Sequence, residues 1–207
     1  MRVVKEYDER KREILATAQR LFSQRGYDKC SVNDILKEIG IAKGTFYYYF
    51  SSKEEVLDAI IEQIVEGVRL RLERIIEQPF ESPTEKLLAV AMGMQVKNQL
   101  EDGFLDELHR PDNALMHQKS LVAMEETVLP FFVRVVEEGV HSGAFQCVFP
   151  EEYMRIFLTS ALVLLDDGFF EFEPQEQQKL FRGLTSILAK MLALDEEVMW
   201  EMLQKHW

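Results

Sequence analysis

An all-α fold is predicted by three features of the 207-residue sequence. Apolar residues recur at helical spacing along nearly its whole length, and no stretch alternates apolar and polar as a half-buried strand does. Six prolines and ten glycines are too few for a turn-rich β fold. These breakers fall between the periodic segments and divide them into three short helices followed by a larger bundle.

The first helical pattern runs from Glu9 to Gln24, with Ile14, Ala18, Leu21 and Phe22 on one face. Gly26 stands where a helix ends in a left-handed residue. Val32, Ile35, Leu36 and Ile39 make a short second helix, with Ser31 as N-cap, Asp34 three residues on, and Gly40 as its end. A third short segment spans Lys43 to Phe50. The box Ser52-Lys-Glu-Glu55 opens a fourth helix reaching Glu77, and Pro79 stops it. The spacing then predicts helices over 83–101, 104–109, 112–141, 151–167, 175–193 and 195–206, separated by Pro83, Gly103, Pro111, Gly143, Pro150, Gly168 and Pro174. Pro130 lies inside the 112–141 stretch and is expected to kink or split it.

Composition narrows the function classes. With 47% hydrophobic and 29% charged residues, the chain is an ordinary globular protein. The longest apolar run, Ile156 to Leu165, is too short to span a bilayer, so no membrane partner is expected. The N-terminal residues lack the apolar core of a signal peptide. Two cysteines, Cys30 and Cys147, form no disulfide framework and suit a reducing, cytoplasmic location. Net charge is −12, unfavourable for nucleic acid taken whole. Yet residues 1–53 carry a net +4 and residues 54–207 a net −16. A basic head on an acidic body points to an anion at the head.

Helices two and three are too short to be stable alone and need the first helix behind them. Joined by the tight turn Gly40-Ile41-Ala42, they have the arithmetic of a helix-turn-helix. In helix three, Phe46 and Phe50 share one side. Tyr48 falls opposite, Gly44 and Thr45 flank it, and Tyr47 and Tyr49 lie at the edges of the buried face. Exposed tyrosine and threonine hydroxyls can bond phosphates or base edges, and Gly44 lets a partner backbone come close. A small aromatic core is the other reading of the same residues. Lys53 occupies the first position of helix four, where the helix dipole disfavours a cation. A docked phosphate would explain it, and so would a lysine turned into solvent.

The run Gly26-Tyr-Asp-Lys-Cys-Ser-Val-Asn-Asp-Ile-Leu-Lys-Glu-Ile-Gly40, then Ile41-Ala-Lys-Gly-Thr-Phe-Tyr-Tyr-Tyr-Phe-Ser-Ser-Lys-Glu-Glu-Val56, resembles the DNA-binding head of the tetracycline-repressor-like (TetR) family of bacterial regulators. The resemblance implies an N-terminal three-helix helix-turn-helix head, residues 1–53, joined to a larger helical effector-binding and dimerisation bundle, residues 54–207. It implies that Ser31 binds phosphate, that Lys43, Gly44, Thr45 and Tyr47 line the major-groove face, and that Tyr48, Tyr49 and Lys53 clamp the backbone. Tyr49 stands where the family often has histidine, and Cys30 where threonine is common. A thiol near a helix N-terminus can be acidified; a small packed residue is the plainer reading of Cys30.

In the body, Ile156 to Leu165 is apolar around nearly the whole helix, as for a helix buried on every side. Leu180, Leu184, Ile187, Leu188 and Met191 form a stripe on the last long helix. With Ala161 and Leu165 they make a candidate homodimer interface, as the resemblance implies; a central core helix in a monomer is the alternative. Polar interruptions of apolar faces suggest an effector pocket for a mostly apolar small molecule, drawn from Met92, Gln95, Phe104, His117, Met124, Thr127 and Phe157. Met and Phe at this spacing equally fill cores. No nucleotide loop, serine elbow or HExxH pattern appears, and His109, His117 and His141 lack metal-site spacing. Neither a catalytic residue, a metal nor a cofactor is expected. The function read from the sequence is a ligand-responsive repressor released from a double-stranded DNA operator. The alternatives are a DNA-binding regulator controlled by a protein partner, and a helical interaction module that binds no DNA.

Overall fold

The computed structural model describes residues 2–95, 108–166 and 168–206. The expected helix over 104–109 falls largely outside them, as do the end of the 83–101 helix and Phe104. Among the described residues there are nine α-helices and no strand. They are α1 (Arg2–Arg25), α2 (Val32–Ile39), α3 (Lys43–Tyr49), α4 (Lys53–Ile76), α5 (Pro83–Gly93), α6 (Ala114–His141), α7 (Pro150–Leu164), α8 (Pro174–Leu192) and α9 (Glu196–His206). A 3-10 turn, Pro111–Asn113, precedes α6.

The chain divides into two compact units, Met1–Ile64 with Gln99–Ser120, and Val65–Asn98 with Leu121–Trp207. Residue 53, where a domain boundary is expected, is the first residue of α4 rather than the edge of a unit. Three short helices bury too little by themselves. In the first unit the buried side chains of α1 (Ile14, Ala18, Leu21, Phe22), α2 (Ile35) and α3 (Phe46) are joined by Val56, Leu57 and Ile60 of α4 and by Met116 of α6.

The helix ends follow local chemistry. α1 stops at Gly26, whose φ of +87° is the left-handed conformation that costs glycine nothing. At α2, Ser31 and Asp34 form the reciprocal capping box. At α4, Ser52 Oγ accepts the Glu55 N–H at 3.0 Å. The Glu55 carboxylate, however, accepts from the N–H and hydroxyl of Ser51, one residue further out than a standard box.

The second unit is built on one apolar cluster. α4 supplies Val68, Leu72 and Ile76, α5 Leu87 and Val90, α6 Val128, Phe132, Val135 and Val136, α7 Met154 and Leu158, α8 Leu188 and Leu192, and α9 Met199 and Leu203. Pro130 does not split α6, which runs unbroken from Ala114 to His141. A proline removes one backbone hydrogen bond; the buried Val128, Leu129 and Phe132 on either side of it anchor both turns. No helix of the described residues is long and apolar enough to cross a membrane.

Candidate nucleic-acid interface

Helix α3 divides its residues cleanly. Phe46 is fully buried, while Lys43, Gly44, Tyr47 and Tyr48 are exposed and Thr45 and Tyr49 half-buried. Tyr48 is 72% exposed. The aromatic-core reading therefore holds for Phe46 and Phe50 but not for Tyr47 or Tyr48. A Cβ built on Gly44 would meet nothing within 4 Å. The protein's own packing thus gives no reason for a glycine inside a helix, a choice that costs about 0.5–1 kcal/mol relative to alanine. Lys43 Nζ lies 5.7 Å from the centre of the Tyr47 ring, so cation and ring share one surface.

Ser31 is exposed but engaged. Its N–H donates to the Asp34 carboxylate at 2.9 Å, its hydroxyl donates to the same oxygen, and its Oγ accepts the Asp34 N–H at 3.2 Å. The Ser31 hydroxyl and N–H hold the Asp34 carboxyl below its ordinary value. A phosphate at Ser31 has to turn the hydroxyl away from its cap.

Lys53 has a different explanation from either one the sequence offers. Its ammonium is half-buried, donates to the Tyr27 carbonyl at 2.7 Å and sits 4.0 Å from the centre of the Tyr27 ring. A carbonyl and a π face offset the dipole cost, so that cost by itself no longer argues for an external anion. The partner lies 26 residues away in the α1–α2 loop, and no local pattern announces it.

That loop is also gripped from its other side. The Tyr27 N–H donates to Asn113 Oδ1 at 2.5 Å, the Asp28 N–H donates to the Asp112 carbonyl at 3.1 Å, and Lys29 pairs with the Asp112 carboxylate. Asn113 is fully buried. A Cβ on Gly26 would come within 2.6 Å of Asp112 Cβ, so the close approach needs glycine as much as the positive φ does. Lys119 then bridges Glu54 and Asp58 at 2.7 and 2.6 Å, and both bonds raise its pKa. Cys30 is buried beside the loop, and burial pushes its thiol up, away from the acidified thiol of a redox sensor.

A second aromatic group was invisible to sequence periodicity. α1 starts at Arg2, seven residues before its expected start. Tyr7 packs on Tyr49 with ring centres 4.7 Å apart and edge-on to Tyr48 at 5.8 Å. Lys11 Nζ lies 5.7 Å from the centre of Phe50. Tyr7 and Lys11 extend the Ile14–Ala18 stripe by two turns, but a tyrosine and a lysine do not count as apolar when a stripe is sought.

The body residues separate too. In the second unit, Met92 and Thr127 are half-buried, Met124 and Phe157 pack against the apolar cluster, and Gln95 is exposed, its carbonyl accepting from Arg71 at 2.5 Å. His117 belongs to the first unit, with its ring centre 5.0 Å from that of His109. On α8 the expected interface stripe splits in two. Leu184 is only 6% exposed and faces inward with Leu188, whereas Ile187 is 49% exposed, with Leu180 and Met191 half-buried. Leu184 is therefore a core residue, because the stripe is wide enough to cover two faces of the helix. On α7, which packs on α8, Ile156 is 57% exposed; Ala161, and Leu165 just beyond the helix end, are half-buried.

Comparison with known proteins agrees with this geometry. Residues 14–60 match the family described as bacterial regulatory proteins of the tetR family, and residues 97–184 match the tetracyclin repressor-like C-terminal domain. The HTH-type transcriptional regulator YhgD of Bacillus subtilis (strain 168) is 24% identical over 187 residues, covering 89% of this chain and 97% of YhgD. EthR of Mycobacterium tuberculosis is 38% identical over 80 residues, which cover 39% of this chain and 37% of EthR. A TetR/AcrR-family regulator from Thermobifida fusca superposes with a TM-score of 0.59 at 26% identity, over 85% of this chain and 96% of that one. RolR, solved with resorcinol, shares the fold with a TM-score of 0.66 at 17% identity, over 97% of this chain and 95% of RolR. YhgD, EthR and the Thermobifida fusca protein are named as transcriptional regulators rather than as enzymes. With a helix-turn-helix head and a helical C-terminal domain both matched, the chain belongs to the TetR family of DNA-binding transcriptional regulators.

Proposed function

We propose that this chain acts as a homodimeric repressor that a small, mostly apolar molecule releases from a palindromic operator. The observation that carries the DNA contact is Gly44, a helix glycine with open space around it, flanked by exposed Lys43, Tyr47 and Tyr48. Lys43, Gly44, Thr45 and Tyr47 read the major groove, and Tyr48 and Tyr49 hold the phosphate backbone with Ser31. Lys53 reaches a phosphate only with the donors that Tyr27 leaves free. DNA binding resides in residues 1–53, braced by residues 108–120, and dimerisation and effector binding in the remainder of 54–207. Two heads on one DNA face need half-sites roughly 34–36 Å apart, or a multiple.

Ile187, Leu180 and Met191 of α8 with Ile156 and Ala161 of α7 form the dimer contact, since Ile187 and Ile156 are exposed and the other three only half-buried. The effector lies in the second unit near Met92, Met124, Thr127 and Phe157. RolR, solved with resorcinol, supports a small molecule as the effector. Fluorescence anisotropy with a random-sequence duplex, and with a duplex selected from a randomised pool by the full-length protein, tests the reading across a salt series. DNA binding weakens steeply with salt and favours the selected duplex. Binding indifferent to salt, or no binding, overturns it.

A further inference from the structure

We propose that Tyr7 is a positioning residue for the DNA face, holding Tyr48 and Tyr49 in the orientation that meets the phosphate backbone. The proposal rests on the reading of α3 as the DNA-contacting helix. Tyr48 is a large side chain with 72% of its surface in solvent. An aromatic ring so exposed ordinarily samples several rotamers, and fixing one on binding costs conformational entropy. Here the ring is held before DNA arrives. It stands edge-on to Tyr7 at 5.8 Å and edge-on to Tyr49 at 5.1 Å, and Tyr7 lies against Tyr49 at 4.7 Å. Three rings in mutual contact, all at distances favourable for aromatic pairs, make a pre-organised cluster.

The cluster also accounts for the length of α1. The buried α1 stripe that holds the helix-turn-helix begins at Ile14, yet the helix starts at Arg2. The additional turns place Tyr7 beside the C-terminal end of α3, on the same face as Lys11 over Phe50. Phe46 and Phe50, both buried, already anchor α3 to the unit. Tyr7 touches the two side chains of α3 next to that anchor. Its contribution is to orientation, and only its ring is needed for that.

The test uses the full-length protein, with Tyr7→Ala, Tyr7→Phe, Tyr48→Phe/Tyr49→Phe, and the triple variant Tyr7→Ala/Tyr48→Phe/Tyr49→Phe. Anisotropy is read on the selected and the random duplex over a salt series. Tyr7→Ala is expected to raise Kd roughly three- to tenfold on both duplexes. The salt slope stays unchanged, because tyrosine hydroxyls release no counterions. Tyr7→Phe keeps the ring and binds as the parent does. Adding Tyr7→Ala to the variant that already lacks both hydroxyls costs nothing more, whereas a general loosening of the head adds its loss in full. Full additivity, an unaffected Tyr7→Ala, or a Tyr7→Phe as weak as Tyr7→Ala each overturns the proposal, the last by making the Tyr7 hydroxyl itself a contact. If Tyr48→Phe/Tyr49→Phe binds as tightly as the parent, the DNA reading of those tyrosines fails and the proposal fails with it. If that variant is weakened and Tyr7→Ala is not, the proposal alone fails.

Discussion

Gly44→Ala gives a prediction in which stability and binding move in opposite directions. The new methyl enters open space, since no atom lies within 4 Å of the Cβ position. Gly44 has helical backbone in α3, where alanine is favoured over glycine by about 0.5–1 kcal/mol. As the second residue of a short helix it should gain the lower part of that range, about 0.5 kcal/mol. For a chain of this size that raises Tm by roughly 1–2 °C. DNA binding should suffer. A base edge in the major groove seated against Gly44 is pushed outward by the methyl, and losing one good base contact costs about 1–3 kcal/mol. Kd on the selected duplex then rises roughly ten- to a hundredfold. The assays are a calorimetric melt and duplex anisotropy on the same preparation. A variant that binds as tightly as the parent refutes the close approach of DNA at Gly44, whatever its Tm does.

Ile187→Glu should give a folded monomer in sedimentation equilibrium, with Tm above that of Leu184→Glu, which places a charge in the core and should unfold the second unit; a dimeric Ile187→Glu removes α8 from the interface. Asn113→Ala leaves the Tyr27 N–H buried and unsatisfied, at a cost of about 1–3 kcal/mol, and should accelerate hydrogen exchange at that amide; unchanged exchange contradicts the role given to Asn113. Asp34 and Glu55 are both held below their ordinary pKa by serine hydroxyl and backbone donors. A depressed folded-state pKa contributes stability above the unfolded value and loses it as pH falls through the folded one, so the window lies on the acid side, below about pH 4. Asp34→Asn/Glu55→Gln should flatten the fall of Tm below about pH 4, and an equally steep fall in the variant would locate acid sensitivity elsewhere.

Much of the first unit was legible because its signals are local. Ser31 with Asp34, Gly40 beyond α2, and Ser52 before α4 each act within a few residues, and the structure places them where spacing does. The buried face of α3 followed from Phe46 and Phe50 alone. What escaped depends on residues distant in the chain. Lys53 finds Tyr27 across 26 residues, and Tyr27 finds Asn113 across 86. The early start of α1 escaped because Tyr7 and Lys11 are amphipathic and join a stripe only when the rings of α3 are there to receive them. On α8, a stripe wide enough for two faces does not say which of its residues turn inward; the fold buries Leu184 and Leu188 and leaves Ile187 exposed.

The grip of Pro111–Asn113 on the α1–α2 loop has a consequence for anyone wishing to redirect this regulator by exchanging its head. A cut at residue 53 carries the loop away and leaves its holder behind. An incoming loop with any side chain at position 26 would strike Asp112, and one without Lys29 would leave the Asp112 carboxylate without that ion pair. The incoming Tyr27 amide would still need an acceptor as well placed as Asn113. The transplantable piece is therefore discontinuous. It consists of the N-terminal segment through the first turns of α4 together with the stretch around 108–120, and a graft that moves both should keep its fold where one that moves only the first loses it.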